Sequence, residues 1–229
     1  MPRIATLCLI AALCPLGLPA LAKPSLIFSL PRLAPTNAAT ARINADLEQQ
    51  DAKAMETLLR CDGGRDVTLN FSNDAFLSLS TSAGGYCEGA AHPFYFETHL
   101  TYDLTTGAPL DWFTLLPPVL LTDNASKPTE PRDGFKSQAL TKLYLAHRRL
   151  PDANNLTRDE IECRGYIGGE PGVSFDLWLD QPNHALTIAP AGVAYVYTAC
   201  IAPAYISIET LRRLDADPRL IEALRSNID

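Results

Sequence analysis

The sequence lacks the short motifs that mark common catalytic centres. It contains no G-x-S-x-G nucleophile elbow, no H-E-x-x-H zinc motif, no Walker loop and no G-x-G-x-x-G dinucleotide loop. Histidines are also few and stand at positions 92, 99, 147 and 184, so groups suited to acid–base chemistry near neutral pH are scarce. The sequence therefore predicts no catalytic residue, no cofactor and no metal ligand.

The chain also lacks an excess of positive charge. It has 19 Lys and Arg against 26 Asp and Glu, for a net charge of -7. Nucleic-acid phosphates demand clustered cations, and anionic membranes demand a basic amphipathic face, so neither partner is predicted. An acidic surface is compatible with a cationic protein partner, although its commoner meaning is simple solubility.

The N-terminus begins with a short apolar stretch behind a positive charge. There Arg3 precedes the apolar stretch Ile4–Leu18, which contains Pro15 and is followed by Ala-Leu-Ala at 20–22. A membrane-spanning helix needs about 20 apolar residues, whereas this layout is that of a secretory signal peptide. The sequence predicts a signal at 1–22 and one exported domain at 23–229, periplasmic or secreted, with no stable membrane insertion once the signal is removed.

Two of the six cysteines, Cys8 and Cys14, fall within the predicted signal. The other four have no Cys or His within four residues, which disfavours a zinc site and favours disulfides. These four are Cys61, Cys87, Cys163 and Cys200. Three connectivities are open; Cys61 with Cys87 and Cys163 with Cys200 is favoured because each pair brackets one block of predicted strands.

Hydrophobic periodicity predicts helices and strands in clusters without regular alternation. Helices are predicted at 37–59, 110–116, 137–150, from a capping box at 157, at 207–214 and from 217 onward. Strands are predicted at 67–72, 77–79, 94–103, 173–180, 185–188 and 192–200. This order indicates an α+β fold on a mainly antiparallel sheet with flanking helices, as one domain or two small lobes.

The strand at 94–103 has the clearest alternation, which predicts one core face and one solvent face. The predicted core face holds Phe94, Phe96, Leu100 and Tyr102. The predicted solvent face holds Tyr95, Glu97, His99, Thr101 and Asp103. On this interpretation His99 is a surface side chain.

Two segments, Tyr86–Pro93 and Tyr102–Phe113, carry a family resemblance: a tyrosine, a glycine-alanine-histidine stretch, and a strand ending in tyrosine, aspartate and a glycine turn. They resemble the domain of unknown function shared by lysozyme-sensing anti-sigma factors and some peptidoglycan deacetylases, and the resemblance extends over 61–229. It implies a domain that binds lysozyme or accompanies a separate catalytic domain, and is not itself an enzyme.

The loop from Gly84 to Tyr95 is the predicted binding surface. Its glycines permit tight turns, and Tyr86, His92 and Tyr95 are of the kinds found at interfaces. The alternative is that the loop only shapes a hairpin. The sequence thus favours an exported non-catalytic binding domain for an envelope protein, such as a lysozyme-like enzyme, or for a cell-wall glycan. The alternatives are an envelope hydrolase of glycans or esters with His92 as base, and a structural envelope protein.

Overall fold

The computed structural model describes residues 27–123, 134–148, 158–169, 173–193, 197 and 200–226. The predicted signal peptide, the capping residue Thr157 and much of the predicted strand at 192–200 lie outside these residues. Among the helices of the described part, none is long and apolar enough to cross a membrane.

The first layer is one long helix on an antiparallel sheet. Asn37 caps the helix, because its side chain accepts a hydrogen bond from the Thr40 amide at 2.9 Å. The elements are α1 (Ala38–Arg60), β1 (Gly63–Ser72), β2 (Phe76–Gly85), β3 (Phe94–Asp103) and β4 (Ala108–Pro109). The four strands neighbour one another in chain order, so each connection is a local hairpin.

The second layer combines a three-stranded antiparallel sheet with short helices. Its strands are β5 (Ser174–Asp180), β6 (Ala185–Ala191) and β7 (Ala204–Ser207). Its helices are α2 (Pro118–Leu121), α3 (Gln138–His147), α4 (Arg158–Gly168), α5 (Ile208–Arg213) and α6 (Pro218–Arg225), with a 3-10 turn at Trp112–Thr114. The α+β prediction is therefore confirmed.

The third strand of this second sheet begins later than the sequence predicted. Of the predicted strand at 192–200, the described residues Gly192, Val193, Tyr197 and Cys200 are not in a strand. The sheet instead uses Ala204–Ser207, where Ala204 and Ile206 are buried and their neighbours are not. A short apolar run predicts burial but not secondary structure, which explains the error.

Each layer has its own apolar core. Under α1, Ile43 and Leu47 pack with Leu77, Leu79 and Tyr102 of the first sheet. The Tyr102 hydroxyl also donates a hydrogen bond to Asp46 of α1 at 2.5 Å. The larger core lies on the other side of the second sheet, where inward residues of β5 meet the short helices.

The two sheets meet through a polar face. Trp178 of β5 stacks on His99 of β3, with ring centroids 3.6 Å apart, and the Gln181 amide donates to the Asn70 carbonyl of β1 at 2.8 Å. β5 therefore crosses β3, β2 and β1 rather than running beside them. The buried Ser78 and Ser80 of β2 are small enough for the sheets to approach closely.

Two disulfides join Cys61 to Cys87 and Cys163 to Cys200, the pairing that the sequence favours. The first ties the end of α1 to the β2–β3 loop, and the second ties α4 to the segment before β7. Each bridge therefore secures one layer.

Reduction of the disulfides should destabilise the protein strongly. The bridges span 26 and 37 residues, and loops of this length contribute about 3 kcal/mol each by restricting the unfolded chain. We expect the midpoint of urea unfolding to fall when reductant is added. A Cys61→Ser/Cys87→Ser/Cys163→Ser/Cys200→Ser variant is the control and should not respond to reductant. An unchanged midpoint for the native protein would contradict the prediction.

Candidate binding cleft at the open edge of strand β3

Strand β3 is paired along one side and largely open along the other. It pairs with β2 over its full length, but with β4 only through Tyr102 and Asp103. One further bond joins the Leu110 amide to the Thr101 carbonyl at 2.8 Å. Among the described residues, no strand pairs with this side of β3 from Phe94 to Leu100. The stretch is thus an open sheet edge.

The hydrogen bonds at the end of β3 show which backbone groups face that edge. Thr101 directs its carbonyl to the β4 side, whereas the Leu104 amide bonds to Ala75 on the β2 side. In an antiparallel strand, successive residues direct their backbone N–H and C=O groups alternately to one side of the strand and to the other. Tyr95, Glu97 and His99 therefore direct their N–H and C=O groups toward the open side.

A cleft of about 340 Å³ lies along this edge. Five consecutive residues of β3, Phe96–Leu100, line it, so it reaches both faces of the sheet. One wall is α1, through Gln50, Lys53, Ala54 and Thr57. The opposite wall is the end of the β5–β6 hairpin away from its turn, through Asp176, Ala191 and Gly192. The edge of β3 therefore forms the middle of the cleft.

A chain of hydrogen bonds fixes His99 on the β5 side. The Asn70 amide donates to the Ser80 hydroxyl, and Ser80 Oγ lies 2.6 Å from His99 Nδ1. On the other side of the ring, His99 Nε2 lies 3.7 Å from Glu97 Oε1. His99 is therefore held in one orientation.

Two carboxyl groups make the β5 side of the cleft acidic. Partial desolvation raises the pKa of Glu97, although its side chain is 38% exposed. Burial, followed by the nearby charge of Glu97, raises the pKa of Asp176 to about 7. Burial also lowers the pKa of His99 to about 3, so this histidine supplies no positive charge at neutral pH. The side therefore accepts cations and hydrogen-bond donors.

The α1 side of the cleft is rich in donors. Arg65 is only 3% exposed, and its Nη2 donates to Asp51 Oδ1 at 2.6 Å. Asp51 also accepts from Arg32 at 2.7 Å and from the Leu30 amide at 3.0 Å. Burial acts to raise the pKa of Asp51, but these donors together lower it. The Nε of Arg65 is buried without a hydrogen-bond partner, and Lys53 lies in the same lining.

The three residues predicted to bind from the sequence lie around the β2–β3 loop. Tyr86 is 51% exposed and Tyr95 is 53% exposed, and His92 is also exposed. The Tyr86 hydroxyl donates to the Ala90 carbonyl of its own loop at 2.7 Å. Tyr95 lies two residues before Glu97 on the same face of β3, next to the cleft. Tyr86 and His92 do not line it, and binding by the three stays a prediction.

The burial predicted for β3 is wrong at three positions. On the predicted solvent face, the side chain of His99 is 5% exposed and Thr101 is buried, whereas Phe96 of the predicted core face is 39% exposed. β5 covers the polar face at His99, while Phe96 lies on the α1 face at the lining of the cleft, stacked on Phe94 at 5.7 Å. Sequence analysis also missed Asp176. Trp178 could have indicated the burial of Asp176. The two residues share one face of β5, and a tryptophan on that face implies that another element covers it.

No metal site is evident: among the described residues, no group of three or more His, Cys, Asp or Glu side chains could hold a metal ion.

These features define a two-layer α+β protein with two disulfides and an open strand edge beside a polar cleft. No protein-family model matches the chain, and no curated protein matches it. Among solved structures, it is similar to a DUF3298 family protein from Pseudomonas aeruginosa PAO1, with 18% identity and a TM-score of 0.43. The similarity covers 74% of this chain and 70% of that chain. The resemblance to the domain shared by lysozyme-sensing anti-sigma factors and some peptidoglycan deacetylases stays a prediction.

The revised burial of β3 predicts unequal losses of stability for two alanine substitutions. His99→Ala removes the stack on Trp178 and the hydrogen-bond partner of the buried Ser80 hydroxyl, so it should cost roughly 2–4 kcal/mol. Phe96→Ala should cost about 1 kcal/mol or less because the ring is partly exposed. Urea unfolding of both variants tests this, and a greater loss from Phe96→Ala would restore the original assignment.

The raised pKa of Asp176 predicts a pH-dependent effect of Asp176→Asn. Between pH 3.8 and about 7 the unfolded chain releases a proton that the folded protein keeps, so this group lowers stability as pH rises through that window. Asparagine removes the effect. The unfolding free energy of the variant minus that of wild type should therefore increase from pH 4 to pH 8, by on the order of 3 kcal/mol. A difference that does not vary with pH would contradict it.

Proposed function

We propose that this protein is an exported, non-catalytic binding domain that captures an extended segment of an envelope protein by strand addition to β3. In this mode the added segment forms main-chain hydrogen bonds with an open sheet edge, and side-chain pockets supply selectivity. The observation that carries the proposal is the open edge from Phe94 to Leu100 within a cleft.

The edge has few of the features that usually protect an open strand. Natural proteins guard such edges with charged side chains, proline, bulges or short strands, and here Glu97 is the one charged residue of the open stretch. Strand β3 has ten residues, its register with β2 is continuous, and Phe94–Leu100 contains neither lysine nor proline. Exposed Tyr95 and Phe96 add amphipathic and apolar surface there. An edge of this kind is a liability unless a partner covers it.

The cleft also has the right form for an added strand. A neighbouring strand lies about 4.8 Å from β3 in the hydrogen-bonding direction. At that distance the segment would lie between α1 and the end of the β5–β6 hairpin, which form the two walls of the cleft. Its side chains would then contact both walls.

Export is supported by the cysteines. All four cysteines beyond the predicted signal are used in disulfides, and such bonds persist in oxidising compartments. We place the protein in the periplasm or the extracellular medium, where its partner would be an envelope protein. A lysozyme-like enzyme, which the family resemblance implies, is one partner to test, and a cell-wall glycan is the alternative ligand.

Hydrolysis of a glycan or ester is a second candidate, favoured by one observation. Asp176, with a pKa of about 7, lies near Glu97 in the cleft, and pairs of this kind occur at acid–base sites. His92, the base suggested by the sequence, does not line the cleft. Turnover of glycan or ester substrates that disappears in Asp176→Asn would establish this candidate.

Selection from a displayed library of random linear peptides tests strand addition. Glu97→Pro removes an N–H that faces the open side, which proline tolerates at an edge, whereas Glu97→Ala changes the same side chain and keeps the N–H. We expect peptides selected on wild type to lose at least about tenfold in affinity for Glu97→Pro and far less for Glu97→Ala. Purified lysozyme is tested against the same three proteins.

Folding of both variants is checked by thermal unfolding, which should give similar midpoints. Failure to enrich any peptide, or equal binding by Glu97→Pro and Glu97→Ala, would overturn strand addition at β3.

A further inference from the structure

Building on the proposed function, we infer that the captured segment carries a basic and an acidic side chain at adjacent positions. The basic one contacts Glu97 and Asp176 on the β5 side of the cleft. The acidic one contacts Lys53 and Arg65 on the α1 side. The preferred ligand is thus an extended peptide with neighbouring opposite charges and no net charge.

The geometry of strand addition requires this alternation. Successive side chains of a strand point to opposite faces of the sheet. On β3, Glu97 lies on the face crossed by β5, and Thr98 lies on the face covered by α1. A residue added opposite Glu97 therefore projects toward β5, and its neighbour opposite Thr98 projects toward α1.

The β5 side selects the positive charge. Glu97 and Asp176 both line the cleft, and burial, followed by the charge of Glu97, raises the pKa of Asp176. His99 on that side is neutral and held by Ser80, so it does not offset their charge. A lysine or arginine there would separate two like charges and replace water lost on burial.

The α1 side selects the negative charge. Among the described residues, the carboxylate bonded to Arg65 is that of Asp51, which Arg32 shares. Lys53 adds a third cation to this side. The Nε of Arg65 is a buried donor without a partner, which is a costly state that an acceptor from a ligand would relieve. A glutamate or aspartate side chain supplies that acceptor.

This arrangement differs from general attraction to an acidic protein. With a net charge of -7, the whole chain would favour any cationic peptide. The two sides of the cleft instead favour a peptide whose charges cancel and alternate between faces. Peptides with the same charges at different spacings can therefore distinguish the two kinds of attraction.

Four synthetic peptides on one eight-residue valine–threonine strand test the inference by fluorescence anisotropy. They carry Lys-Glu at adjacent central positions, Lys-Thr-Glu with the same charges two apart, Lys alone, or Glu alone. Spacing of two places both charges on one face. We expect the adjacent peptide to bind about tenfold more tightly than the composition-matched Lys-Thr-Glu peptide.

Variants of the protein assign each charge to its side. In Asp176→Asn, the gain in affinity that the peptide lysine provides should fall about fivefold, and the gain that the peptide glutamate provides should stay unchanged. Lys53→Gln should do the reverse; it is used because Lys53 is exposed, whereas Arg65 is tied to the fold through Asp51. Each variant thus reports on one wall of the cleft.

The experiments distinguish failure of the charge alternation from failure of strand addition. Equal affinity for all four peptides, with binding still lost in Glu97→Pro, would overturn the charge alternation and leave strand addition in place. Equal binding of the adjacent peptide by Glu97→Pro and Glu97→Ala would instead overturn strand addition itself.

Discussion

The crossing of β5 over the polar face of the first sheet is the contact on which the rest of the structure depends. Small serines on β2 let the two sheets approach, and the stack of Trp178 on His99 fixes where they cross. Beside this crossing, no strand of the described residues pairs with β3 from Phe94 to Leu100, and Asp176 of β5 lines the same cleft as Glu97. The cleft is therefore a result of how the two sheets are oriented.

Polar groups buried at this crossing destabilise the fold unless each has a hydrogen-bond partner. The bonds from Asn70 to Ser80 and from Ser80 to His99 meet that condition, and the imidazole stays neutral. Two groups beside the crossing differ: burial raises the pKa of Asp176, and on the α1 side of the cleft the Nε of Arg65 is buried without a hydrogen-bond partner. Such local costs concentrate at functional sites, and both residues line the cleft.

Sequence analysis predicted the features that depend on local chemistry. The bounds of β3 and the pairing of the cysteines agree with the structure. It failed at His99 because alternation divides a strand into two faces without revealing what covers each one. The cleft could not be predicted, since it needs the crossing of two strands about 75 residues apart, a long-range contact that no local pattern encodes.

Amide hydrogen exchange along β3 tests strand addition most directly. In the free protein the amides of Tyr95 and Glu97, which face the open side, should exchange faster than those of Phe96 and Thr98, which bond to β2. On addition of a peptide selected by display, the amides of Tyr95 and Glu97 should become protected while the other two change little. Binding of the peptide with no added protection at Tyr95 and Glu97 would contradict the account.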